Sequence, residues 1–321
     1  MAIKMIAVDM DGTFLDENSS YNQKRFDHIY QILKDRGIRF VVASGNPYKK
    51  LQNCFPHIQN ELTYIAENGG YIISEGKELY FAHISSQDSQ LIIDTLQTMP
   101  DVLCWVCTKN QSYTLESLPE HYYQMFLPYF PHVKKVQNFS LIKEPIVKFA
   151  LYLPQQNTTQ RIHDLTQIAS QDIRIVDSGH ACIDIIPRFV SKGMAIQLLM
   201  KEFHISPDEV MAFGDADNDR EMLSTVKYGY VMANAKEKMK KDFQWMAPGF
   251  NDEGVLEVID SASIFELPQQ TLQQIKQIIQ DKHIHTLFVE SHWIYHQRIQ
   301  DIRDFFGIKM IIKIGVETFD D

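Results

Sequence analysis

A short apolar run ends in two carboxylates in the segment Met5-Ile6-Ala7-Val8-Asp9-Met10-Asp11-Gly12-Thr13. The run predicts a buried strand, with Asp9 and Asp11 at its carboxyl end. Ligands of open α/β sheets bind at this end of the strands. Because alternate residues of an extended segment face the same way, both carboxylates can reach one ligand. The alternative is a solvated strand-end turn, since Asp-Gly is common in turns.

A second apolar run of the same kind lies about two hundred residues later, at positions 210–213. It is followed by Gly214-Asp215-Ala216-Asp217-Asn218-Asp219. Mg²⁺ prefers oxygen ligands and is usually held by one or two carboxylates together with phosphate oxygens of a substrate. If the two runs form strands that end at the same edge of a sheet, their acidic residues supply such a ligand set.

At these positions and two others, the chain resembles the haloacid dehalogenase (HAD) superfamily of phosphatases, within it the Cof-type group with a C2-type cap. The resemblance covers about residues 1–262. The first family motif, DxDGT, matches Asp9 to Thr13, and the last, GDxxND, matches Gly214 to Asp219. Between them the family has a Ser or Thr after an apolar strand, matched by Ser44, and a Lys that opens a helix, matched by Lys192. All four motifs occur in the expected order.

The resemblance implies a role for each matched residue. Asp9 would be the nucleophile that forms an aspartyl-phosphate, and Asp11 the general acid and base. The implied cofactor is Mg²⁺, with the ligands Asp9, Asp11 through its backbone carbonyl, Asp215, and Asp219 through water or as an orienting group. The implied phosphate-binding residues are Gly12, Thr13, Ser44, Gly45, Lys192 and Asn218.

The order of the predicted elements indicates an α/β fold. Strands and helices alternate over the first eighty residues, which predicts a parallel sheet covered by helices. The resemblance implies that this sheet belongs to a Rossmann-like HAD core, with an inserted α+β cap and a C-terminal extension. The predicted division is 1–82 for the first part of the core, 83–186 for the cap, 187–265 for the second part of the core, and 266–321 for an extension of unknown role.

Substrate choice is expected to come from the cap, because a core that recognises only phosphate and metal is indiscriminate. Several aromatic or imidazole side chains of the cap are candidates for this role. They equally fit a hydrophobic core, since aromatic residues at helical spacing are more often buried. These candidates are Tyr122, Tyr123, Phe126, Tyr129, Phe130 and His180.

Composition restricts the partners. The chain has 321 residues and a net charge of −10, so the phosphate backbone of a nucleic acid would be repelled on average. A small phosphorylated metabolite remains admissible, because Mg²⁺ and Lys192 make the local field positive.

No apolar run reaches the ~18 residues of a membrane span. The N-terminal run leads straight into Asp9 and is too short for a signal peptide, and we therefore expect a cytoplasmic protein without nucleic-acid or membrane partners.

Three features leave alternatives open. The family often continues its second motif with Gly-Arg, whereas this chain has Gly45-Asn46. This difference leaves the substrate contacts open, but not the type of reaction. The segment Asn68-Gly69-Gly70 is typical of either a hairpin turn or a turn beside the site. Residues 268–321 predict two strands, at 286–289 and 310–316, and two helices, which cannot bury their faces alone. This extension would dock on the core, belong to a larger unit, or pair with another chain in a homo-oligomer.

The sequence thus predicts a Mg²⁺-dependent phosphatase of small phosphorylated metabolites, such as sugar phosphates, nucleotides or phosphorylated cofactors. A phosphotransferase or phosphomutase on the same core is the first alternative, since a second hydroxyl could replace water. The second is a protein that senses a phosphometabolite and uses the extension as an interaction module.

Overall fold

The computed structural model describes residues 3–130, 132–155, 158–179, 181–264, 277, 286–290 and 309–313. Strands in these ranges form an eight-stranded, a six-stranded and a two-stranded sheet. The eight-stranded sheet is built from two separate parts of the chain, and the six-stranded sheet is formed by the residues between them.

The first part of the eight-stranded sheet alternates strands with helices and then ends in a hairpin. Its elements are β1 (Met5–Val8), α1 (Gln23–Asp35), β2 (Arg39–Ala43), α2 (Tyr48–Cys54), β3 (Thr63–Ala66), β4 (Tyr71–Ser74) and β5 (Lys77–Phe81). Strands β1 to β3 are parallel, as predicted. The antiparallel strands β4 and β5 were not predicted and make the sheet mixed. Helix α1 starts where the Asn22 side chain accepts from the Arg25 N–H, and it buries an apolar stripe that includes Phe26 and Leu33.

The six-stranded sheet carries three helices. Its elements are α3 (Ser86–Gln97), β6 (Leu103–Thr108), β7 (Ser112–Leu115), α4 (Glu120–Phe126), β8 (Lys134–Val136), β9 (Ile146–Tyr152), α5 (Thr158–Ile168), β10 (Ile173–Gly179) and β11 (Cys182–Pro187). The strand order is β10-β11-β9-β6-β7-β8, and β9 therefore lies in the interior of the sheet. Cys104 and Cys107 belong to two different hydrophobic clusters, because residues at an odd offset in a strand face opposite sides.

The chain then returns to the eight-stranded sheet. The elements are α6 (Lys192–Glu202), β12 (Val210–Gly214), α7 (Arg220–Thr225), β13 (Tyr228–Met232), α8 (Glu237–Lys240), β14 (Trp245–Ala247) and α9 (Gly254–Ile264). The strand order is β14-β13-β12-β1-β2-β3-β4-β5. Strands β1 and β12 are parallel neighbours, with Met5 opposite Val210. Their carboxyl ends therefore meet at one edge of the sheet, although more than two hundred residues separate them.

Apolar residues cover both faces of this sheet. Val8, Phe26 and Phe213 belong to the cluster on one face, and Ala7 and Leu199 to the cluster on the other. A central strand that is buried on both faces explains why the run before Asp9 is continuously apolar. The predicted α/β fold class is confirmed, whereas the domain limits at 82, 186 and 265 remain our proposal.

The described part of the extension consists of two strands, β15 (Thr286–Glu290) and β16 (Lys309–Lys313). They pair in parallel, with Thr286 opposite Lys309. The two predicted strands are thus present over these residues. The predicted helices of the extension lie outside the described residues except at Gln277. Among the described helices, none combines the length and the apolar character that crossing a bilayer requires.

Candidate active site

The carboxyl ends of β1 and β12 bring the two acidic segments together. The Asp9 N–H donates to the carbonyl oxygen of Phe213 at 3.0 Å, which continues the pairing of the two strands by one residue. One carboxylate oxygen each of Asp9, Asp215 and Asp219 lie within 4.8 Å of one another. These three residues, which we call the carboxylate cluster, were all predicted as site residues.

Asp219 is held by several hydrogen bonds. Its Oδ2 accepts from the backbone N–H groups of Asp215 at 3.1 Å and Ala216 at 3.0 Å. Its Oδ1 accepts from the Lys192 ammonium at 2.6 Å. Both oxygens are therefore engaged by the protein itself. This arrangement fits a carboxylate that orients its neighbours.

Lys192 lies at the start of α6 and is fully buried. The preceding Ser191 caps this helix by accepting from the Met194 N–H at 3.0 Å. The Lys192 Nζ donates to Asp9 Oδ1 at 2.5 Å as well as to Asp219. A single ammonium thus connects the first acidic segment to the second.

Burial and mutual repulsion shift the proton affinities of these groups. Burial raises the pKa of Asp9; Lys192 opposes this shift, while Asp219 and Asp215 add to it. Burial and the Asp219 charge raise the pKa of Asp215 to about 6. Burial works against the Lys192 ammonium, but Asp219 and Asp9 outweigh it and raise the pKa of the lysine. Negative charge on the cluster is therefore disfavoured, and the one lysine offsets this only in part.

Gly12 and Thr13 surround the Asp215 side chain. The Thr13 hydroxyl donates to Asp215 Oδ1 at 2.8 Å. Gly12 adopts φ +81°, and a Cβ on it would lie 2.7 Å from Asp215 Oδ2. Glycine is required here both for the left-handed backbone and for the close approach of the carboxylate.

Asp11 differs from the members of the cluster. Its Oδ2 accepts from the Asn46 amide at 2.5 Å, and its Oδ1 lies 3.9 Å from the Lys50 ammonium. Its side chain is 49% exposed, against 9% for Asp9. The Asp11 carboxylate therefore faces the open side of the site.

The other predicted phosphate-binding residues meet at the turn after β3. Ser44 is buried, and its hydroxyl accepts from the Asn46 N–H at 3.1 Å. A Cβ on Gly45 would lie 3.1 Å from both polar atoms of the Asn68 amide. The Asn218 amide donates to Asn68 Oδ1 at 3.1 Å. The Asn68 turn links β3 to β4, as a hairpin turn does, and it also contacts two of the predicted phosphate-binding residues, Gly45 and Asn218.

Sequence reasoning missed several residues beside the site. Asn46 was noted only as a departure from the family pattern, yet it binds Asp11. The Asn234 amide donates to the carbonyl oxygen of Gly12 at 2.8 Å. Asn234 follows the short strand β13, so its position at a strand end was a usable signal. Lys50 gave no such signal, because only the tertiary fold brings it close to Asp11.

The aromatic cap candidates divide into two groups. Phe126 and Phe130 pack around Trp105, and Tyr122 and Tyr123 lie against the same cluster. Tyr129 is exposed instead, and its ring centroid lies 4.4 Å from the Lys50 ammonium. Tyr129 is thus the candidate near Asp11, whereas His180 lies outside the described residues.

Comparison with known proteins identifies the family and several relatives of this chain. The chain matches the profile of the haloacid dehalogenase-like hydrolases over residues 6–259. It is 38% identical over 268 residues to a 5-amino-6-(5-phospho-D-ribitylamino)uracil phosphatase of Escherichia coli (strain K12), covering 84% of this chain and 99% of that protein. It is 26% identical over 246 residues to an HMP-PP phosphatase of Yersinia pseudotuberculosis, covering 74% of this chain and 87% of that protein.

Solved structures show the same relationship. A crystal structure of a Streptococcus mutans protein superposes with a TM-score of 0.78 at 36% identity, covering 82% of this chain and 100% of that one. A haloacid dehalogenase-like hydrolase of B. subtilis, at 20% identity, shares the fold with a TM-score of 0.72 over 80% of this chain and 99% of that one. The expected haloacid dehalogenase superfamily and the expected enzyme class, a phosphatase, are confirmed. The chain belongs to the family of haloacid dehalogenase-like hydrolases.

Proposed function

We propose that this chain is a Mg²⁺-dependent phosphatase that hydrolyses small phosphorylated metabolites through an aspartyl-phosphate on Asp9. One observation carries the proposal. Asp215, Asp219 and Lys192 lie around Asp9, while Asp11 faces the open side of the site. A nucleophile beside a metal site and a separate acid on the open side are the groups that this reaction needs.

The donor set fits magnesium. The cluster offers only oxygen atoms, which are the donors that this hard cation prefers. Asp9, Asp215 and the backbone carbonyl of Asp11 would hold the ion, with Asp219 acting through water or as an orienting group. The hydrogen bonds that engage both Asp219 oxygens support this division of roles. The bound ion would neutralise part of the charge that otherwise keeps an anionic nucleophile from a phosphate dianion.

In the first step an Asp9 oxygen forms a bond to phosphorus, and the bond from phosphorus to the ester oxygen breaks. Asp11 gives its proton to the departing alcohol. In the second step Asp11 takes a proton from water, which attacks the phosphorus and releases inorganic phosphate and the Asp9 carboxylate. Lys192, Ser44, Asn218 and the N–H groups of Gly12, Thr13 and Gly45 would bind the phosphoryl oxygens as charge shifts in the transition state.

The substrate class follows from the relatives and the open side of the site. Relatives that share most of this chain are phosphatases named for 5-amino-6-(5-phospho-D-ribitylamino)uracil and for HMP-PP. Both names denote small phosphorylated compounds. In this chain the departing alcohol would lie near Asp11, where Asn46, Lys50 and the ring of Tyr129 are within reach.

The test is release of inorganic phosphate from a panel of metabolite phosphates, with Mg²⁺ and with a chelator. We expect turnover that the chelator abolishes and that Asp9→Asn reduces to the background rate. Asp217→Asn is the matched control, because Asp217 belongs to the same loop but is exposed and paired with Arg220. Normal turnover in Asp9→Asn, or no phosphate release from any ester, would refute the proposal.

A further inference from the structure

Lys148 is a buried lysine that the proposed reaction does not use. It lies on β9 of the six-stranded sheet and is 4% exposed. Its ammonium donates to the carbonyl oxygen of Gly45 at 2.8 Å and lies 2.9 Å from Glu67 Oε2. Gly45 and Glu67 follow strands β2 and β3 of the eight-stranded sheet. One side chain therefore connects the two sheets at the edge that carries the site.

A second carboxylate extends this contact toward Asn218. Asp184, on β11, places its Oδ2 at 3.7 Å from the Lys148 ammonium. The same oxygen accepts from the Asn68 side-chain amide at 3.3 Å, and Asn68 Oδ1 accepts from the Asn218 amide. The six-stranded sheet is thus linked through Asp184 and Asn68 to a proposed phosphate-binding amide.

The turn Glu67–Gly69 contacts the remaining phosphate-binding segments through its backbone. The N–H of Glu67 donates to the carbonyl oxygen of Asn46 at 3.1 Å, and the N–H of Asn68 donates to that of Ser44 at 3.0 Å. A Cβ on Gly69 would lie 2.4 Å from the carbonyl oxygen of Ser191, the residue before Lys192. A shift of this turn would therefore move the surroundings of both Ser44 and Lys192.

The ion pairs of Lys148 with Glu67 and Asp184 depend on how the two sheets are arranged. Burial raises the pKa of Glu67, and Lys148 opposes the shift. Burial disfavours the Lys148 ammonium, but Asp184 and Glu67 outweigh it and raise the pKa of the lysine. A buried ion pair that loses one partner leaves an uncompensated charge, which is strongly destabilising. The charges of Lys148, Glu67 and Asp184 compensate one another only while β9 and β11 stay against the Glu67 turn.

We propose that Lys148 is a positioning residue, which couples the six-stranded sheet to the loops that bind the phosphoryl group. By holding Gly45 and Glu67, it aligns Ser44, Lys192 and, through Asp184 and Asn68, the amide of Asn218. This inference rests on the proposed function and adds the residue through which the inserted segment acts on the phosphate site.

The test compares Lys148→Met with Lys135→Met. Lys135 is a lysine of β8 that also forms an ion pair, but it is partly exposed, and its partner Glu120 lies on α4, a helix that the six-stranded sheet carries. For both variants we would measure kcat and KM for p-nitrophenyl phosphate with Mg²⁺, the inhibition constant of inorganic phosphate, and the melting temperature. Misplacing a reactive group by about 1 Å can lower a rate about a hundredfold. We expect a loss of that size in kcat/KM and weaker phosphate inhibition in Lys148→Met, with wild-type values in Lys135→Met.

The outcomes separate positioning from a purely structural role. A Lys148→Met protein that melts earlier but keeps wild-type kcat/KM and phosphate inhibition would overturn the inference. If that variant does not fold, Asn68→Gly decides, because glycine accepts the φ of 57° at this position and removes the link from Asp184 to Asn218. Unchanged phosphate inhibition in Asn68→Gly would then overturn the inference that Lys148 positions the phosphate-binding loops. A wild-type protein that hydrolyses no ester would refute the proposed function itself, and the inference with it.

Discussion

Asp9 and Asp11 are two residues apart, yet one carboxylate is buried against Lys192 and the other faces Asn46 at the open side of the site. The separation arises where the chain leaves β1, since the Asp9 N–H still pairs with Phe213 whereas Gly12 already adopts a left-handed backbone. Two chemically identical groups thereby obtain different surroundings. Such a difference is what separates a nucleophile from a proton donor.

The first prediction concerns Asp11→Asn and the leaving group. This variant should lose about 10²- to 10⁴-fold in turnover of an alkyl phosphate, because the departing alkoxide receives no proton. With p-nitrophenyl phosphate the first step needs no proton, so we expect a burst of p-nitrophenol close to the enzyme concentration, followed by slow turnover. Rapid-mixing absorbance measurements check this. Equal losses for both esters without a burst would contradict the assigned role.

The second prediction uses two glycines with similar backbones. Gly12 has φ +81° and lies against Asp215, whereas Gly76 has φ +76° and nothing within 4 Å of its missing Cβ. Both Gly→Ala changes should lower stability through the left-handed backbone, by about 1 kcal/mol. Only Gly12→Ala should also weaken Mg²⁺ binding, because its Cβ would displace the Asp215 carboxylate. Calorimetric titration with Mg²⁺ would distinguish the two, and equal Mg²⁺ affinities would count against the metal site.

The third prediction concerns pH. Burial raises the pKa of Asp215 from 3.8 to about 6, so protons compete with Mg²⁺ for this carboxylate. Mg²⁺ affinity should therefore increase as the pH rises through about 6. Without Mg²⁺, the folding stability should instead fall as the pH rises through the same range. The folded chain holds this proton more tightly than the unfolded chain, so the contribution of Asp215 to stability declines from about pH 4 to pH 6.

Calorimetry and thermal unfolding between pH 4.5 and 7.5, each with and without Mg²⁺, measure the two trends. Asp217→Asn serves as the control and should preserve both, because Asp217 is exposed and paired with Arg220. A Mg²⁺ affinity that does not change over this range would show that Asp215 is not a ligand.

The fourth prediction concerns residues 268–321. The family match ends at residue 259, and the carboxylate cluster and Lys192 all precede that point. We expect a chain without residues 268–321 to retain its turnover. Light scattering on both forms would show whether the extension supports a homo-oligomer, which a lower mass per particle after deletion would indicate. Loss of turnover in a deletion variant that still unfolds cooperatively would assign the extension to the site instead.

The motifs could be predicted from the sequence because they follow strands. A continuously apolar run, such as the one before Asp9, identifies a strand that is buried on both faces, and the parallel order of strands brings their carboxyl ends to one edge. The fold class followed from the alternation of strands and helices, and the resemblance to the family from the four motifs and their order. The meeting of Asp9, Asp215 and Asp219 was expected for the same reason, and the structure brings them together.

The contacts between the two sheets could not be predicted in this way. Lys148 occupies an apolar strand, where an isolated lysine carries no periodic signal, and its partners Glu67 and Asp184 are distant in sequence. The hairpin β4–β5 was missed because its second strand begins with two exposed charged residues, Lys77 and Glu78, and the rest of that strand is only partly buried. The contacts of Asn46 and Lys50 with Asp11 were not predicted, because they form only in the tertiary fold.

The pairing of β1 with β12 has a consequence for the synthesis of this protein. Asp9 leaves the ribosome before strand β12, which precedes Asp215 and emerges only some two hundred residues later. Strands β6 to β11 have all their sheet partners within residues 103–187 and can form their contacts in the interval. The nascent chain can therefore pair β1 with β2, but it must leave the other side of β1 without a partner until β12 emerges, and the carboxylate cluster is assembled only then.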